Sequence, residues 1–428
     1  MTDASPDVST SSAGLRGHHA FRFLWTADAA SQLGTAAATA LVPLLAATTL
    51  GATPLQMGLL TAAETVALLV IGLPAGAWID RTRRRRAVLV GADLVRALLF
   101  FGLPVAGWTG VLDFGQLLGT VVLVGVATVF FDAAYQAYLP VVIGLENLET
   151  GYARLQITLS VAAAAGPGIG GVLTRVIGAA SGLLLTGAGY LASAALLSRV
   201  RAEVPPIPPR PREVRLRTEI AEGLRYIVHH RQLRLLALAS SIAAFFTAGI
   251  MAMEVLFFTH DLHLDAAGAG VLLALSGVGS VIGAATTGRW TRRLGAARAN
   301  WVVPVLTWPP HLLLPLAQPG PAGLVLAATG IVIHAAGGTT YNVIVMTRRQ
   351  HLTPDALRGR VHTSMRVLVW GTMPLGALAA GVFAESMGTR ATLTVVVAGI
   401  LVAIVPAAWS AREHPDHRGP GAAGSCAQ

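Results

Sequence analysis

The chain is 428 residues long, 54% hydrophobic and only 12% charged, with a mean hydropathy of +0.63. A soluble chain usually carries about 25% charged residues, so this composition excludes an ordinary soluble domain. Lysine is absent and Cys426 is the single cysteine, which excludes a Walker A nucleotide site, Schiff-base chemistry and an intrachain disulfide.

Residues 1–20 form a polar, Ser/Thr-rich tail without the apolar core and cleavage site of a signal peptide. The first span is therefore expected to act as an uncleaved insertion signal. Apolar length and the Arg, Pro and Gly breaks predict about twelve spans, near 24–49, 55–79, 87–107, 115–138, 153–174, 180–199, 234–259, 265–288, 300–317, 321–346, 362–384 and 390–410. Arginine crowds into alternate loops, while the intervening loops hold little more than Arg175 and Arg390. The net charge of +10 is thus topology and not a nucleic-acid patch. It predicts a multi-pass protein of the inner (plasma) membrane with both termini and the long middle loop in the cytoplasm.

Span one carries Asp28, Gln32, Thr35 and Thr39 on one stripe, and span two places Glu64 beside Thr61 near mid-membrane. Charges in hydrocarbon cost several kcal/mol and normally face a cavity or a partner. Span two ends in G-L-P-A-G-A-W-I-D-R-T-R-R-R-R, Gly72 to Arg86. Gly72 and Gly76 share a helical face and permit close approach of another helix. This stretch resembles the loop signature of the major facilitator superfamily of secondary transporters. The resemblance implies a cytoplasmic gate built from Gly72, Gly76, Asp80, Arg81 and Arg85, with Asp80 set against the start of span eleven near 361–364. Asp93 and Arg96, spaced to interact on span three, are read as further gate or packing residues.

Span four aligns Thr128, Asp132, Tyr135 and Gln136 along one side. Span five carries A-A-A-A-G-P-G-I-G-G; Gly166 and Gly170 share one face, and Pro167 and Gly171 share another. Small residues pack tightly and proline bends the helix. The run resembles the antiporter motif of the same superfamily, with Ala162 in place of its first glycine, and is read as a hinge. The middle segment 201–232 begins Pro-rich, which favours a stiff extended linker, and continues as a basic helical stretch, 218–230, suited to the membrane surface.

This segment divides the chain into six-span halves, 21–200 and 233–410, followed by a tail at 411–428. Gly76–Arg81 has an echo at Gly288–Arg293, and Tyr138-Leu139-Pro140 one at Leu352-Thr353-Pro354. Such parallel repeats are the architecture of this superfamily. The fold class expected is all-α, with about twelve transmembrane helices in two pseudo-symmetric bundles. The Arg348–Val361 loop and the Ala92–Arg96 segment resemble the subgroup that includes the enterobactin exporter and macrolide-efflux proteins.

In the second half, Ser240, Thr247, Met251 and Glu254 share a face of span seven, and His334, Gly338, Tyr341 and Asn342 share one of span ten. The resemblance places spans one, four, seven and ten nearest the central cavity. Glu64, Glu254 and Asp28 are the proton-coupling candidates, since loss of water favours a carboxyl group that can take up a proton. Gln32, Thr35, Asp132, Tyr135, Gln136, Met251, His334, Tyr341 and Asn342 are the substrate-cavity candidates. No metal-ligand cluster or nucleophile–base–orienter set is apparent, so neither cofactor, metal nor enzymatic activity is expected. The reading is proton-coupled efflux of a small amphipathic compound by a monomer in the lipid bilayer. Nutrient uptake and a non-transporting membrane sensor are the alternatives.

Overall fold

In the computed structural model the described residues are 19–200 and 216–411. The Pro-rich start of the middle segment and most of both tails lie outside them. All regular structure among the described residues is helical. The first half supplies α1 (His19–Leu44), α2 (Pro54–Arg81), α3 (Arg85–Trp108), α4 (Phe114–Ile143), α5 (Leu148–Ile177) and α6 (Ala179–Arg199). A short helix α7 (Leu216–His229) precedes the second half. That half comprises α8 (Arg231–Leu256), α9 (Ala266–Thr307), α10 (Leu313–Leu316), α11 (Pro321–Leu352), α12 (Arg358–Gly371), α13 (Met373–Met387), α14 (Thr389–Ile400) and α15 (Ile404–Trp409).

Eleven segments are long and apolar enough to cross a membrane. One of them, Ala266–Leu316, reverses at Gly295 (φ 74°, ψ 155°), a left-handed conformation that glycine adopts without penalty. It therefore crosses twice, which makes twelve spans among the described residues. Helices overrun the predicted windows by several residues, as in α4 and α11, because an established helix continues until a cap or break stops it. Thr53 and Gln56 form a capping box at the start of α2, with Pro54 at its first position. Asp113 and Asp265 cap α4 and α9 by accepting the backbone N–H groups of Gln116 (2.7 Å) and Gly268 (2.8 Å).

Within the first bundle α1 packs on α5 and α6, α3 on α6 and α4, and α2 on α4. The second repeats this with α8 on α13 and α14, and α9 on α11. Two seams join the bundles, α5 with α9 and α2 with α13. They are equivalent positions of the repeat. A methyl group added at Gly171 would lie 2.7 Å from the Ala266 carbonyl oxygen, and one at Gly270 would lie 2.9 Å from the Pro167 carbonyl oxygen. In the other seam a methyl at Gly58 would lie 2.6 Å from the Ala377 carbonyl oxygen, and one at Gly381 would lie 3.0 Å from Leu55 Cα. Gly171 and Gly381 each stand seven residues ahead of a left-handed glycine, Gly178 (φ 85°) or Gly388 (φ 83°). Side-chain-free surfaces let the backbones touch there, which is how helices associate in lipid. The outward surface carries apolar side chains such as Leu98 and Val176, 75% and 72% exposed, as a lipid-facing surface requires.

Both seams lie at the face remote from the arginine loops. At the arginine face α7 rests on α12, where Gly223 meets the Arg360 backbone and Glu222 pairs with the Arg360 guanidinium.

Candidate functional site: a cavity between the bundles

The bundles part towards the arginine face. A cavity of about 430 Å³ lies there, walled by α2 (Leu68, Leu69, Gly72, Gly76), α4 (Asp132, Gln136 and neighbours) and α12 (His362, Thr363, Arg366, Trp370). A second pocket of about 360 Å³ shares His362, Arg366 and Trp370, and adds Ser240, Asn342 and Arg349. Gly72 and Gly76 thus face open space, and a methyl group on Gly76 would meet nothing within 4 Å.

Behind the α4 wall lies a charged cluster enclosed by the first bundle. Asp93 and Arg96 form an ion pair, 0% and 2% exposed. The Arg96 guanidinium sits between the faces of Phe131 (4.3 Å) and Tyr190 (4.4 Å). Tyr190 in turn hydrogen-bonds Thr35, 2.9 Å between hydroxyl oxygens. Asp28 is buried on α1, accepts a hydrogen bond from Gln32, and has Asp132, Asp93 and Arg96 as charged neighbours. Asp132 faces Arg96 on one side and Arg366 across the cavity on the other. Tyr135 stacks on Phe131 at 5.8 Å. Asp28, Gln32, Thr35, Asp132 and Tyr135 are therefore brought together around Arg96. Of these, Asp132 reaches the cavity, as does Gln136.

The remaining candidates are dispersed. Glu64 is exposed on α2 and Glu254 half-buried on α8, and among the described residues no charged or hydrogen-bonding side chain faces either carboxylate. Met251 is 49% exposed and is not among the lining residues. The span-ten stripe divides, because Asn342 lines the pocket while His334 and Tyr341 turn into the second bundle. There the Pro309-Pro310 turn breaks span nine and sets His311 on His334, ring centroids 4.2 Å apart. Asp93 and Arg96 lie inside the bundle, two and three turns beyond the start of α3, and neither lines the cavity. Arg85 braces its own bundle by donating to the Ala137 carbonyl (2.8 Å), and Arg81 is exposed at the end of α2. The Asp80 side chain lies outside the described residues. Gly166 and Gly170 face α1, whereas Pro167 and Gly171 face α9, so the two faces of the motif serve two different contacts.

Arg349, His362, Arg366 and Trp370 were not picked out by sequence reasoning. Arg366 carried a usable signal: a charge one helical turn inside the eleventh apolar window. Among the described residues no group of three His, Cys, Asp or Glu side chains could hold a metal ion.

The fold matches solved structures at low sequence identity. A nucleoside transporter, NupG, aligns with a TM-score of 0.76 at 11% identity, covering 91% of this chain and 99% of that one. A bacterial homologue of the iron transporter ferroportin in an inward-facing state aligns at 0.72 and 16% identity, covering 92% and 98%. By sequence, the multidrug efflux pump Tap of Mycolicibacterium fortuitum is 28% identical over 372 residues, 82% of this chain and 87% of that protein. The enterobactin exporter EntS of Citrobacter koseri is 25% identical over 364 residues, 82% and 83% of the two chains. A family model described as transmembrane secretion effector matches residues 9–415. With its duplicated bundles and interbundle cavity, the chain belongs to this family of the major facilitator superfamily, and it is a transporter and not an enzyme.

Proposed function

We propose that the protein exports a small amphipathic compound across the plasma membrane by alternating access, driven by protons moving inward, and that one copy suffices. Retention of arginine on the inner side supports placing the arginine face and both termini in the cytoplasm. In that orientation the cavity is the inward-open state, ready to load from the cytoplasm, with both glycine seams closed on the outside. Tap and EntS, named as exporters, support the direction.

The observation that carries the reading is the cavity itself: walled by both bundles, closed at one face, and connected through Asp132 to the buried Asp28 cluster. Two neighbouring carboxylates beside one guanidinium can hold a proton in one conformation and release it when Arg96 or Arg366 moves closer. Glu64 and Glu254 supply further carboxylates without cationic partners.

Everted membrane vesicles from a pump-deficient bacterial host test this. An imposed pH gradient should drive an amphipathic dye into vesicles containing the protein, and a protonophore should abolish the uptake. Asp28→Asn and Glu64→Gln should each reduce gradient-driven uptake to the vector background at unchanged protein level. Undiminished uptake in both variants rejects these acids as coupling groups, and no uptake of any compound in a broad panel rejects export.

A further inference from the structure

The two walls of the cavity differ in charge. The first bundle contributes one carboxylate, Asp132, with Gln136 and apolar surface. The second contributes the guanidinium groups of Arg349 and Arg366, together with His362, Trp370, Asn342 and Ser240. Arg366 lies over the Trp370 ring, 5.1 Å from guanidinium carbon to centroid. This couples a flat apolar surface to a fixed positive charge one helical turn away. Most other arginines close to a described acid are paired with it: Arg96 with Asp93, Arg358 with Asp355, Arg360 with Glu222, and Arg390 with Asp261 at 3.3 Å. Arg349 and Arg366 have no carboxylate within ion-pair distance among the described residues; Asp132 reaches Arg366 only across the cavity.

Topology accounts for arginines at the membrane rim, where long side chains extend to water. Arg366 lies farther in than the loop arginines, eight residues past the start of α12, about 12 Å along the helix at ~1.5 Å per residue. Its guanidinium is exposed to the cavity, free to meet a ligand there. Its five donors in a rigid fork match carboxylate, phosphate and similar oxyanions bidentately.

We infer that the cargo is an amphipathic anion: an aromatic or otherwise flat apolar body seated on Trp370, with an acidic group held by Arg366 and Arg349. The inference rests on the transporter reading and names the substrate class of the same cavity. Asp132 then competes with the acidic group for Arg366, so that cargo and the charged form of Asp132 exclude one another.

The test uses the full-length purified chain in lipid nanodiscs and two xanthene dyes with similar ring systems, anionic carboxyfluorescein and cationic tetramethylrhodamine methyl ester, with binding read by fluorescence polarisation. The anionic dye should bind more tightly than the cationic one. Arg366→Gln and Arg349→Gln should each weaken the anion by about tenfold or more, 1.4 kcal/mol per tenfold, and leave the cation unchanged or tighter. Arg366→Lys, which keeps the charge but loses the fork, should fall between wild type and Arg366→Gln. Asp132→Asn should tighten the anion. Preference for the cationic dye, wild-type anion binding in both glutamine variants, or binding of neither dye would overturn the inference. Because binding is read without a gradient, failure of proton-driven export would leave a positive result standing.

Discussion

Arg96 illustrates how a membrane protein encloses a charge. Its counter-ion is three residues earlier on the same helix, its guanidinium faces are covered by Phe131 and Tyr190, and Asp28 and Asp132 lie nearby. Removing one partner of a buried pair leaves an uncompensated charge, at a cost of roughly 3–5 kcal/mol. Arg96→Leu should therefore lower the unfolding temperature of the purified protein markedly. Asp93→Asn combined with Arg96→Gln should recover part of that loss in the same thermal scan, because Asp93 then no longer carries a charge without its partner. The i, i+3 spacing of the pair was legible in the sequence. The aromatic sandwich was not, since it needs α4 and α6 brought alongside α3. The same limit concealed the cavity's positive wall: Arg349 reads as one more topological arginine until α11 and α12 are seen to wall one pocket.

At the scale of elements, α5 and α13 do the same job in the two halves. Each presents a small-residue surface to the opposite bundle, Gly171 to Gly270 and Gly381 to Gly58. The α5 motif was visible as a run of glycines around a proline. Its partner, Gly376-Ala377-Leu378-Ala379-Ala380-Gly381, lacks the proline and most of the glycines, so the equivalence emerges from position relative to Gly178 and Gly388. Close approaches decide which replacement hurts more. A methyl on Gly171 falls 2.7 Å from a backbone carbonyl oxygen, whereas one on Gly381 falls 3.0 Å from its nearest neighbours. Gly171→Val should therefore open the α5/α9 seam further than Gly381→Val opens the α2/α13 seam. Paired spin labels at the outer ends of α5 and α9, or of α2 and α13, would show it as a longer mean distance across the altered seam. Equal distances in both variants and wild type would refute the account.

At the scale of the whole molecule, twelve spans, two halves and their repeat could be read from apolar length and arginine placement, because the bilayer imposes both directly. What the pattern could not give was which bundle faces touch and which part. In this conformation the face remote from the arginine loops is also held by polar links at matching places, each on the third residue before a left-handed glycine. Arg175 pairs with Asp265 at 3.4 Å, and the Glu385 carboxylate accepts the Leu55 backbone N–H at 3.1 Å. Exposed links of this kind are screened by solvent and add little to folding, so they matter for the balance between states. Arg175→Ala combined with Glu385→Ala should leave the unfolding temperature nearly unchanged. It should also enrich the conformation open at the seam face, read as a second distance population across the seam ends of these helices. A single unaltered population would rule out that role.

The left-handed glycines carry a consequence for how the molecule can be engineered. Gly178 alone separates α5 from α6, and Gly388 alone separates α13 from α14. A joint one residue long has no slack, so an epitope threaded into either would prise apart two neighbouring helices. The turn at 109–113, between α3 and α4, has several non-helical residues to absorb an insertion. Reporter tags should be accepted there and rejected at the glycine joints, which makes that turn the natural handle for asking, on intact cells, which face of the protein looks outward.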